Sequence, residues 1–428
     1  MAINSERQSQ VQHALRNAKM AAVVCALPSN VLLLTGYWPV VGTSIAICVG
    51  NGPTVLLVPE DEEELARDSF ADSIKTFVPE TLNEMRTIPE AIKPQLARIV
   101  NDLKLADGSI GVESGASSQA ASYLAMHLYG DSLPNVLGEL VPAARLIPID
   151  NWIRDLKSVK TRHELEKIRQ ACRIAKKAYE LVAPRIRAGM DEREVAGLFR
   201  APLSEKKFLS SSIQRCDGFA FCMSGPNSAK GSAAYARTRS RTLERNDLVM
   251  IHCNSYVDGF WTDITRTYTL QTPDGQQSHL HAAVLASRAA AFESIKPGVR
   301  ADEVDSAARE VIQEFGLGEY LKHGTGHGVG FSPMSVYSVP SIHCGSAERL
   351  QEGMVFNVEP AVYIEGYGGV RHCDMVAVTR SGCELLTDFQ SDAQSLVARS
   401  CDSTHHNSTR AAVSTGEPDT TDRNYING

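Results

Sequence analysis

The sequence predicts two domains, an α/β domain followed by an α+β domain, on three observations. Apolar strand-like runs alternate with helical patterns from about Ser5 to Ile149, as is typical of an α/β layer. Farther along the chain, two β-rich runs each fold back at a turn signal and flank a glycine-rich segment. An internal repeat in the same region indicates that the second domain consists of two similar halves.

The first domain contains strand-like and helix-like runs in alternation. AAVVCAL, TSIAICVG, TVLLVP and SIGVE have the pattern of strands, whereas DEEELARDSF and the stretch from Asn83 to Leu103 have the pattern of helices. Because strands that alternate with helices usually join one sheet, we expect a mostly parallel or mixed sheet.

A change in pattern places the domain boundary near residues 150–160. The charged segment DNWIRDLKSVKTRHELEKIRQA starts a long helix, in which Thr161 and Glu164 have the spacing of a capping box. We therefore assign residues 1–155 to the first domain and 156–398 to the second. Residues 399–428 are rich in Ser, Thr, Asp and Asn, and they are predicted to form a disordered tail because they cannot bury enough apolar surface.

The internal repeat consists of IRAGMDEREV and IKPGVRADEV. Gly189 of the first copy corresponds to Gly298 of the second, and Glu194 corresponds to Glu303. Each copy follows one helix-patterned stretch and precedes another. The repeat therefore predicts two similar halves that close around a shared centre, which is a common place for a ligand site.

Composition and charge exclude several classes of partner. The net charge is -7 and no run of Lys and Arg is present, so we expect neither nucleic-acid nor anionic-membrane binding. The polar N-terminus is not a signal peptide, and no apolar run approaches the roughly 20 residues that span a bilayer. The ten scattered cysteines fit reduced thiols. These features predict a cytoplasmic protein that acts on a small molecule or a short peptide.

The run NDLVMIHCNSYVDGFWTDITRTYTL is predicted to form a β-hairpin. Two β-rich stretches flank Asp258-Gly259, which is a strong turn signal. Reflection of the chain about a midpoint between Val257 and Asp258 places His252 opposite Asp263. Directly opposed side chains on one face have Cβ atoms about 5 Å apart, close enough to share a metal ion.

A second hairpin is predicted in MVFNVEPAVYIEGYGGVRHCDMVAVT, with its reversal in the glycine-rich EGYGG. Reflection about Gly366 pairs Glu359 with Cys373, so this hairpin also presents two candidate ligands across its strands. Between the hairpins lies HGTGHG, whose three glycines argue against a regular helix. We expect a strand or tight loop there, with close approach of the backbone.

Five side chains make up the candidate metal site: His252, Asp263, His327, Glu359 and Cys373. Any single histidine bonded to a carboxylate is more often a buried structural pair than a ligand. Imidazoles and carboxylates crowded together are costly to bury, however, unless they are paired or hold a cation. The complete set therefore predicts a metal centre.

At the level of motifs, GFWTDITRT, HGTGHGVG, GMVFNVEP and GGVR together resemble the superfamily of creatinase, prolidase, aminopeptidase P and methionine aminopeptidase. The resemblance covers residues 150–390, and the first domain is similar to the creatinase-type N-terminal domain. It implies a pita-bread fold for the α+β domain and a homodimer. In the peptidase members it implies a two-metal centre that activates a bridging water.

The resemblance also implies which residues hold the metal. The peptidases use two aspartates from the first hairpin, one histidine, and two glutamates from the second hairpin. Asp263, His327 and Glu359 match this set. His252 stands where the first aspartate is expected, and Cys373 stands where the second glutamate is expected. The metal site is therefore predicted to be non-standard.

Other parts of the peptidase machinery match only partly. Two substrate-handling histidines are absent, one from SGPNSAKGSAAYARTRS and one from the stretch after HGTGHGVG, where the first histidine is His343. His323 and Arg371 are retained, and the resemblance implies that they are catalytic. His323 would donate a hydrogen bond to the developing oxyanion.

Three hypotheses of function follow. The first is a metal-dependent hydrolase of a peptide or small amide C–N bond, resembling an Xaa-Pro aminopeptidase or prolidase, with one or two Zn, Mn or Fe ions. The second is a creatinase-like hydrolase or lyase that needs no metal, in which His252 moves protons near neutral pH. The third is a non-catalytic binding protein with a degenerate site.

Overall fold

The computed structural model describes residues 5–40, 43–79, 87–114, 132–232, 237–333 and 338–398. The tail predicted at 399–428 lies outside these ranges. Every cysteine within them carries a free thiol. None of the helices in the described parts is both long enough and apolar enough to cross a membrane.

The first domain alternates helices and strands. In chain order these are α1 (Ser5–Ala18), β1 (Ala22–Cys25), α2 (Pro28–Thr35), β2 (Ile45–Val49), β3 (Thr54–Pro59), α3 (Glu63–Ala66), β4 (Ser73–Phe77), α4 (Ile88–Asp102), β5 (Asp107–Val112), α5 (Ser132–Leu140) and β6 (Ala143–Pro148). The strands form one six-stranded sheet in the order β4-β3-β2-β1-β5-β6. The sheet is mixed, because β2 is antiparallel to both of its neighbours and the other pairs are parallel.

One predicted helix is much shorter than expected. DEEELARDSF forms a short α-helix, α3, after a single turn of 3-10 helix at Glu60–Glu62. After Ala66 the N–H groups of Arg67 and Ser69 donate to carbonyls three residues earlier, and the N–H of Phe70 donates to the carbonyl of Thr35 at 2.8 Å, so the α-helical pattern does not continue.

The second domain starts with helices and ends with hairpins. Helix α6 (Asp150–Ser158) spans the predicted domain boundary, and the domain's helices beyond it are α7 (Arg162–Val182), α8 (Glu192–Leu203), α9 (Gly275–Ser294) and α10 (Ala301–Glu314). Its strands are β7 (Cys216–Ser224), β8 (Leu248–Val257), β9 (Phe260–Trp261), β10 (Ile264–Thr269), β11 (Gly326–His327), β12 (Ser341–Ile342), β13 (Val355–Val358), β14 (Ala361–Ile364), β15 (Gly368–Arg371), β16 (Asp374–Val378) and β17 (Cys383–Leu385).

Two antiparallel sheets of the second domain are joined by a backbone bridge. One has the order β10-β8-β7 and the other has the order β13-β16-β17. Thr265 in β10 and Cys373, which precedes β16, form a bridge with backbone hydrogen bonds of 3.3 and 3.0 Å. This bridge brings the two predicted hairpins side by side.

The internal repeat is confirmed by equivalent backbone geometry in its two copies. Gly189 and Gly298 have φ angles of 90° and 89°, a left-handed conformation that glycine adopts without strain. The N–H of Gly189 donates to Leu243, and the N–H of Gly298 donates to Leu350, both at 2.8 Å. Each glycine lies between a long helix and a following one, so α7 and α8 correspond to α9 and α10.

The two domains are joined by a buried ion pair at the start of α7. Thr161 and Glu164 form the predicted capping box, with hydrogen bonds of 3.3 and 2.8 Å between side chain and backbone. The same Glu164 carboxylate accepts two hydrogen bonds from Arg7 of α1, at 2.8 and 2.6 Å. The first helix of the chain is thereby fixed to the first long helix of the second domain.

Candidate active site

The first hairpin brings two predicted ligands together, although its predicted register is wrong. Strand β8 pairs His252 with Thr265, not with Asp263. The turn residues Asp258 and Gly259 both have positive φ angles, 50° and 88°, so the hairpin is centred between them and not one residue earlier. His252 and Asp263 are therefore diagonal neighbours on one face, and Nδ1 of His252 still lies 3.5 Å from Oδ1 of Asp263.

The second hairpin has the predicted register. Strand pairing joins Val358 to Asp374 and Ala361 to Arg371, and both pairs are centred on Gly366. Glu359 therefore faces Cys373 across the hairpin, in the gap between these paired strands. The Cys373 side chain is buried, and its thiol donates a hydrogen bond of 3.2 Å to the backbone carbonyl of Asp263 in the first hairpin.

The HGTGHG segment forms a tight loop and the short strand β11, as predicted. A Cβ on Gly326 would lie 1.9 Å from the carbonyl oxygen of Asn357, so only glycine permits this approach of the backbone. The next residue, His327, donates its backbone N–H to Oδ1 of Asn357 at 2.6 Å. These contacts place the His327 imidazole between the two hairpins.

The five predicted ligand side chains lie in one cluster. Nε2 of His327 lies 3.5 Å from Oδ2 of Asp263 and 3.7 Å from Oε1 of Glu359. Sγ of Cys373 lies 3.7 Å from Oδ1 of Asp263. Side-chain exposure is 1% for His252 and Asp263, compared with 18% for His327 and 12% for Glu359, so solvent reaches the cluster from the side of the latter two.

Charges within this cluster compensate one another. Burial alone would raise the pKa of Asp263, but the nearby imidazoles of His252 and His327 outweigh burial and lower it. Burial would lower the pKa of His327, but its contacts with Asp263 and Glu359 raise it to about 9. The contacts of His327 with the two carboxylates thus favour its charged form, and those of Asp263 with the two imidazoles favour the carboxylate.

The geometry of three residues fits a bound cation. Asp263, Glu359 and Cys373 each offer one ligand atom, and these atoms lie within 4.8 Å of one another. Oδ2 of Asp263 is buried and has no hydrogen-bond partner among the described residues, which is unfavourable unless a cation approaches it. His327 can add a fourth ligand atom, because its Nδ1 donates to the carbonyl of Gly328 at 3.2 Å and Nε2 points to Asp263.

The predicted catalytic residue Arg371 lies against the cluster. Its guanidinium is almost fully buried and lies 4.0 Å from Oε2 of Glu359. It donates to Nδ1 of His252 at 3.1 Å and to Oγ1 of Thr265 at 3.2 Å. Burial lowers the pKa of His252 to about 4, because the charged imidazole would lose its hydration.

The other predicted catalytic residue, His323, connects to Arg371 through Tyr363. Nδ1 of His323 lies 2.8 Å from the carbonyl of Gly324 and must carry a proton to bond with it. Nε2 lies 3.0 Å from the Tyr363 hydroxyl, which lies 3.4 Å from Nη1 of Arg371. In the neutral ring Nε2 therefore accepts from Tyr363, and the predicted donation to an oxyanion requires a ring protonated on both nitrogens.

Two residues of the site were missed at the level of sequence, Asn357 and Tyr363. Both lie on the same face of the second hairpin as Glu359, because their positions differ from it by even numbers of residues. A buried amide two residues before a candidate ligand is a signal that could have identified Asn357. Tyr363 carries the corresponding signal, a hydroxyl on that face.

Comparison with known proteins agrees with this arrangement. The sequence profile of metallopeptidase family M24 matches residues 166–380, and the profile of the creatinase/prolidase N-terminal domain matches residues 7–159.

The chain belongs to metallopeptidase family M24. The Xaa-Pro dipeptidase of Pyrococcus horikoshii is 31% identical over 395 residues, which cover 90% of this chain and 98% of that protein. The Xaa-Pro dipeptidase of Pyrococcus furiosus is 31% identical over 386 residues, 89% of this chain and 97% of that protein.

Solved structures of M24 relatives have the same two-domain fold. The prolidase of Pyrococcus horikoshii superposes with a TM-score of 0.72 at 28% identity, covering 90% of this chain and 98% of that one. The X-Pro aminopeptidase of Thermotoga maritima gives a TM-score of 0.71 at 26% identity, covering 89% and 97%. The predicted α/β creatinase-like domain and α+β pita-bread domain are confirmed, and this M24 chain is a hydrolase of the prolidase and aminopeptidase P type.

Proposed function

We propose that this protein is a metal-dependent peptidase that cleaves the Xaa-Pro bond of short peptides, with a divalent cation held by Asp263, His327, Glu359 and Cys373. The observation that carries the proposal is the cluster of ligand atoms from Asp263, Glu359 and Cys373, which lie within 4.8 Å of one another beside Nε2 of His327. The substrate class comes from the relatives, which are named Xaa-Pro dipeptidases and share nearly the whole chain.

The ligand set favours some metals over others. Two carboxylates, one imidazole and one thiol give mixed O, N and S donors, which suit zinc or iron better than manganese. When bound, the cation supplies Lewis-acid activation of water and of the scissile carbonyl. The chain supplies the surrounding charge and shape: the carboxylates fix the cation, and the partial exposure of His327 and Glu359 leaves one side open to substrate.

Three further polar residues of the site hold one another in position through hydrogen bonds. The Arg371 guanidinium, the Tyr363 hydroxyl and the His323 imidazole form a continuous chain of hydrogen bonds. In its doubly protonated form, His323 would donate to the oxyanion that develops at the substrate carbonyl. The bond from Nδ1 to the carbonyl of Gly324 then holds the ring in place from its other side.

The pKa of His252 does not fit the metal-free hypothesis. That hypothesis requires His252 to exchange protons near neutral pH, whereas burial lowers the pKa of His252 to about 4. A side chain that is 1% exposed and accepts a hydrogen bond from Arg371 is held in its neutral form. The geometry therefore supports the metal-dependent hydrolase over a creatinase-like reaction.

Peptide hydrolysis and metal content test the proposal together. The purified chain would be depleted with a chelator, reloaded separately with Zn²⁺, Fe²⁺ or Mn²⁺, and assayed on Leu-Pro, on Leu-Pro-Gly and on Leu-Ala as the non-prolyl control. We expect hydrolysis of a prolyl peptide only after reloading, and none by an Asp263→Asn variant. Undiminished activity in protein stripped of metal would overturn the proposal.

The domain boundary near residue 155, the homodimer and the cytoplasmic location stay predictions. The relatives support the finer substrate assignment, since peptidases with these names act on small peptides. Light scattering of the purified chain at several concentrations tests the dimer directly, because a dimer would double the mass of a 46.5 kDa chain.

A further inference from the structure

The tautomer of His252 is fixed by its neighbours. Nδ1 lies 3.1 Å from Nη2 of Arg371 and 3.1 Å from Oγ1 of Thr265. A guanidinium has only donors, so Nδ1 must accept and the ring proton lies on Nε2. A neutral imidazole in this tautomer has no lone pair left for a metal ion.

Nδ1 of His252 and Sγ of Cys373 both lie near Oδ1 of Asp263, at 3.5 and 3.7 Å, but only the thiol belongs to the cluster of ligand atoms. Among the described residues Asp263, Glu359 and Cys373 form a group of candidate ligands that includes neither His252 nor His327. Nε2 of His327 nevertheless lies 3.5 Å from Asp263 and 3.7 Å from Glu359, whereas Nδ1 of His252 accepts from Arg371. Sγ of Cys373 is turned towards Asp263 and towards Nδ2 of Asn357, which lies 3.5 Å away. The predicted ligands therefore divide into one metal-binding group and one residue bound to Arg371.

A fixed positive charge already lies beside His252. The side chain of Arg371 is 5% exposed, and its nearest carboxylate is that of Glu359 at 4.0 Å. Its other contacts are neutral: His252, Thr265, Tyr363 and the carbonyl of Gly231. A second cation next to His252 would meet this guanidinium, and the carboxylates within reach, those of Asp263 and Glu359, are already ligands of the first ion.

We propose that the centre binds one divalent cation, on the side of Asp263, His327, Glu359 and Cys373, and that the Arg371–His252 pair takes the place of a second. The residues do not fit the two-cation centre that the resemblance implies. This inference rests on the proposed function, because it concerns the number of ions in the same site. The two departures from the ligand pattern that the resemblance implies act together. His252 stands beside Arg371 where an aspartate is expected, and Cys373 stands beside Asp263 where a glutamate is expected.

Metal stoichiometry of restored variants tests the inference. Zn²⁺ bound per chain would be measured by elemental analysis and by calorimetric titration for the native chain, His252→Asp, Cys373→Glu and the double variant. We expect one equivalent in the native chain and two in the double variant, in which the carboxylate introduced at position 252 would pair with Arg371. His252→Asn is the matched control, because it keeps a neutral acceptor for Arg371 and should stay at one equivalent.

A second measurement needs no variant. Co²⁺ added to the native chain should give a sulfur-to-cobalt charge-transfer band that saturates at one equivalent, with the magnetic signature of an isolated ion. Exchange-coupled Co²⁺ pairs, or two Zn²⁺ per chain, would overturn the inference while leaving the proposed function intact. A double variant that folds and still binds one ion would also overturn it. A native chain that binds no metal would instead defeat the proposed function.

Discussion

The side-chain amide of Asn357 contacts His327 at two points. Its Oδ1 accepts the backbone N–H of His327 at 2.6 Å, and its Nδ2 lies 3.2 Å from Nε2 of the ring. Because the first bond fixes which end of the amide is the oxygen, Nδ2 must face the ring and the thiol of Cys373. One buried amide thus orients two of the four proposed ligands.

Replacement of Asn357 by leucine should weaken metal binding by about 10- to 100-fold, because a residue behind the ligands sets their orientation. It also leaves the backbone N–H of His327 buried without a partner, at a cost of about 1–3 kcal/mol in stability. Calorimetric titration with Zn²⁺ measures the affinity. Asn30→Leu is the control, since it removes a buried amide of the first domain that contacts Glu113 and should leave the affinity unchanged. Equal Zn²⁺ affinity in both variants would contradict the assigned role of Asn357.

Thermal stability should respond to Zn²⁺ through Asp263. A ligand that binds only the folded chain stabilises it by about 2.7 kcal/mol at a concentration 100 times its Kd, so the melting temperature of the native chain should rise with free Zn²⁺. Asp263→Asn should abolish this rise. Asp258→Asn makes the same chemical change at the tip of the same hairpin, where the carboxylate bonds Lys167 and two backbone N–H groups, and should keep it. A rise that persists in Asp263→Asn would place the bound metal elsewhere.

Much of the fold could be predicted from the sequence, because central strands carry a strong signal. The strands β1, β2 and β3 are almost continuously apolar and largely buried on both faces, and the second half of β5 is buried as well. Within this sheet the strands that were missed are β4 and β6, which are its two edges. SIKTF and AARLIP are partly exposed and carry charged residues, so their apolar pattern is weak.

Reflection of the chain about a turn predicted the register of one hairpin correctly and that of the other wrongly. The second hairpin was predicted correctly because Gly366, with a φ of 77°, lies at its centre. The first was predicted two residues out of register because the turn was placed before Asp258, whereas both Asp258 and Gly259 adopt the left-handed conformation of a two-residue turn. The tautomer of His252 could not be predicted at all, since it depends on Arg371, more than a hundred residues away in the chain.

The buried pair of Arg7 and Glu164 should make a large contribution to stability, as judged by single substitutions. Side-chain exposure is 4% and 6%, so Arg7→Met leaves a buried carboxylate without its partner and should cost about 3–5 kcal/mol. The double variant Arg7→Met/Glu164→Gln should recover part of this loss, because the uncompensated charge is gone while the cap can still form. Urea denaturation gives both values. Arg173→Met, which breaks an ion pair with 60% and 47% exposure, should change stability by less than about 1 kcal/mol.

Lys160 should make stability depend on pH in the alkaline range. Its side chain is buried, and burial lowers its pKa from 10.5 to about 7. Between these values the unfolded chain binds a proton that the folded chain does not. The free energy of unfolding therefore rises with pH across this window, and the cost of burying the charged ammonium is complete below about pH 7.

Lys160→Met removes this titration, so the variant should be more stable than the native chain at pH 7, by roughly 3–5 kcal/mol, and should converge with it towards pH 10. Urea denaturation at pH 7, 8, 9 and 10 measures the difference, with the exposed Lys176→Met as the control. Parallel pH profiles for Lys160→Met and the native chain would show that the buried ammonium remains charged in the folded protein.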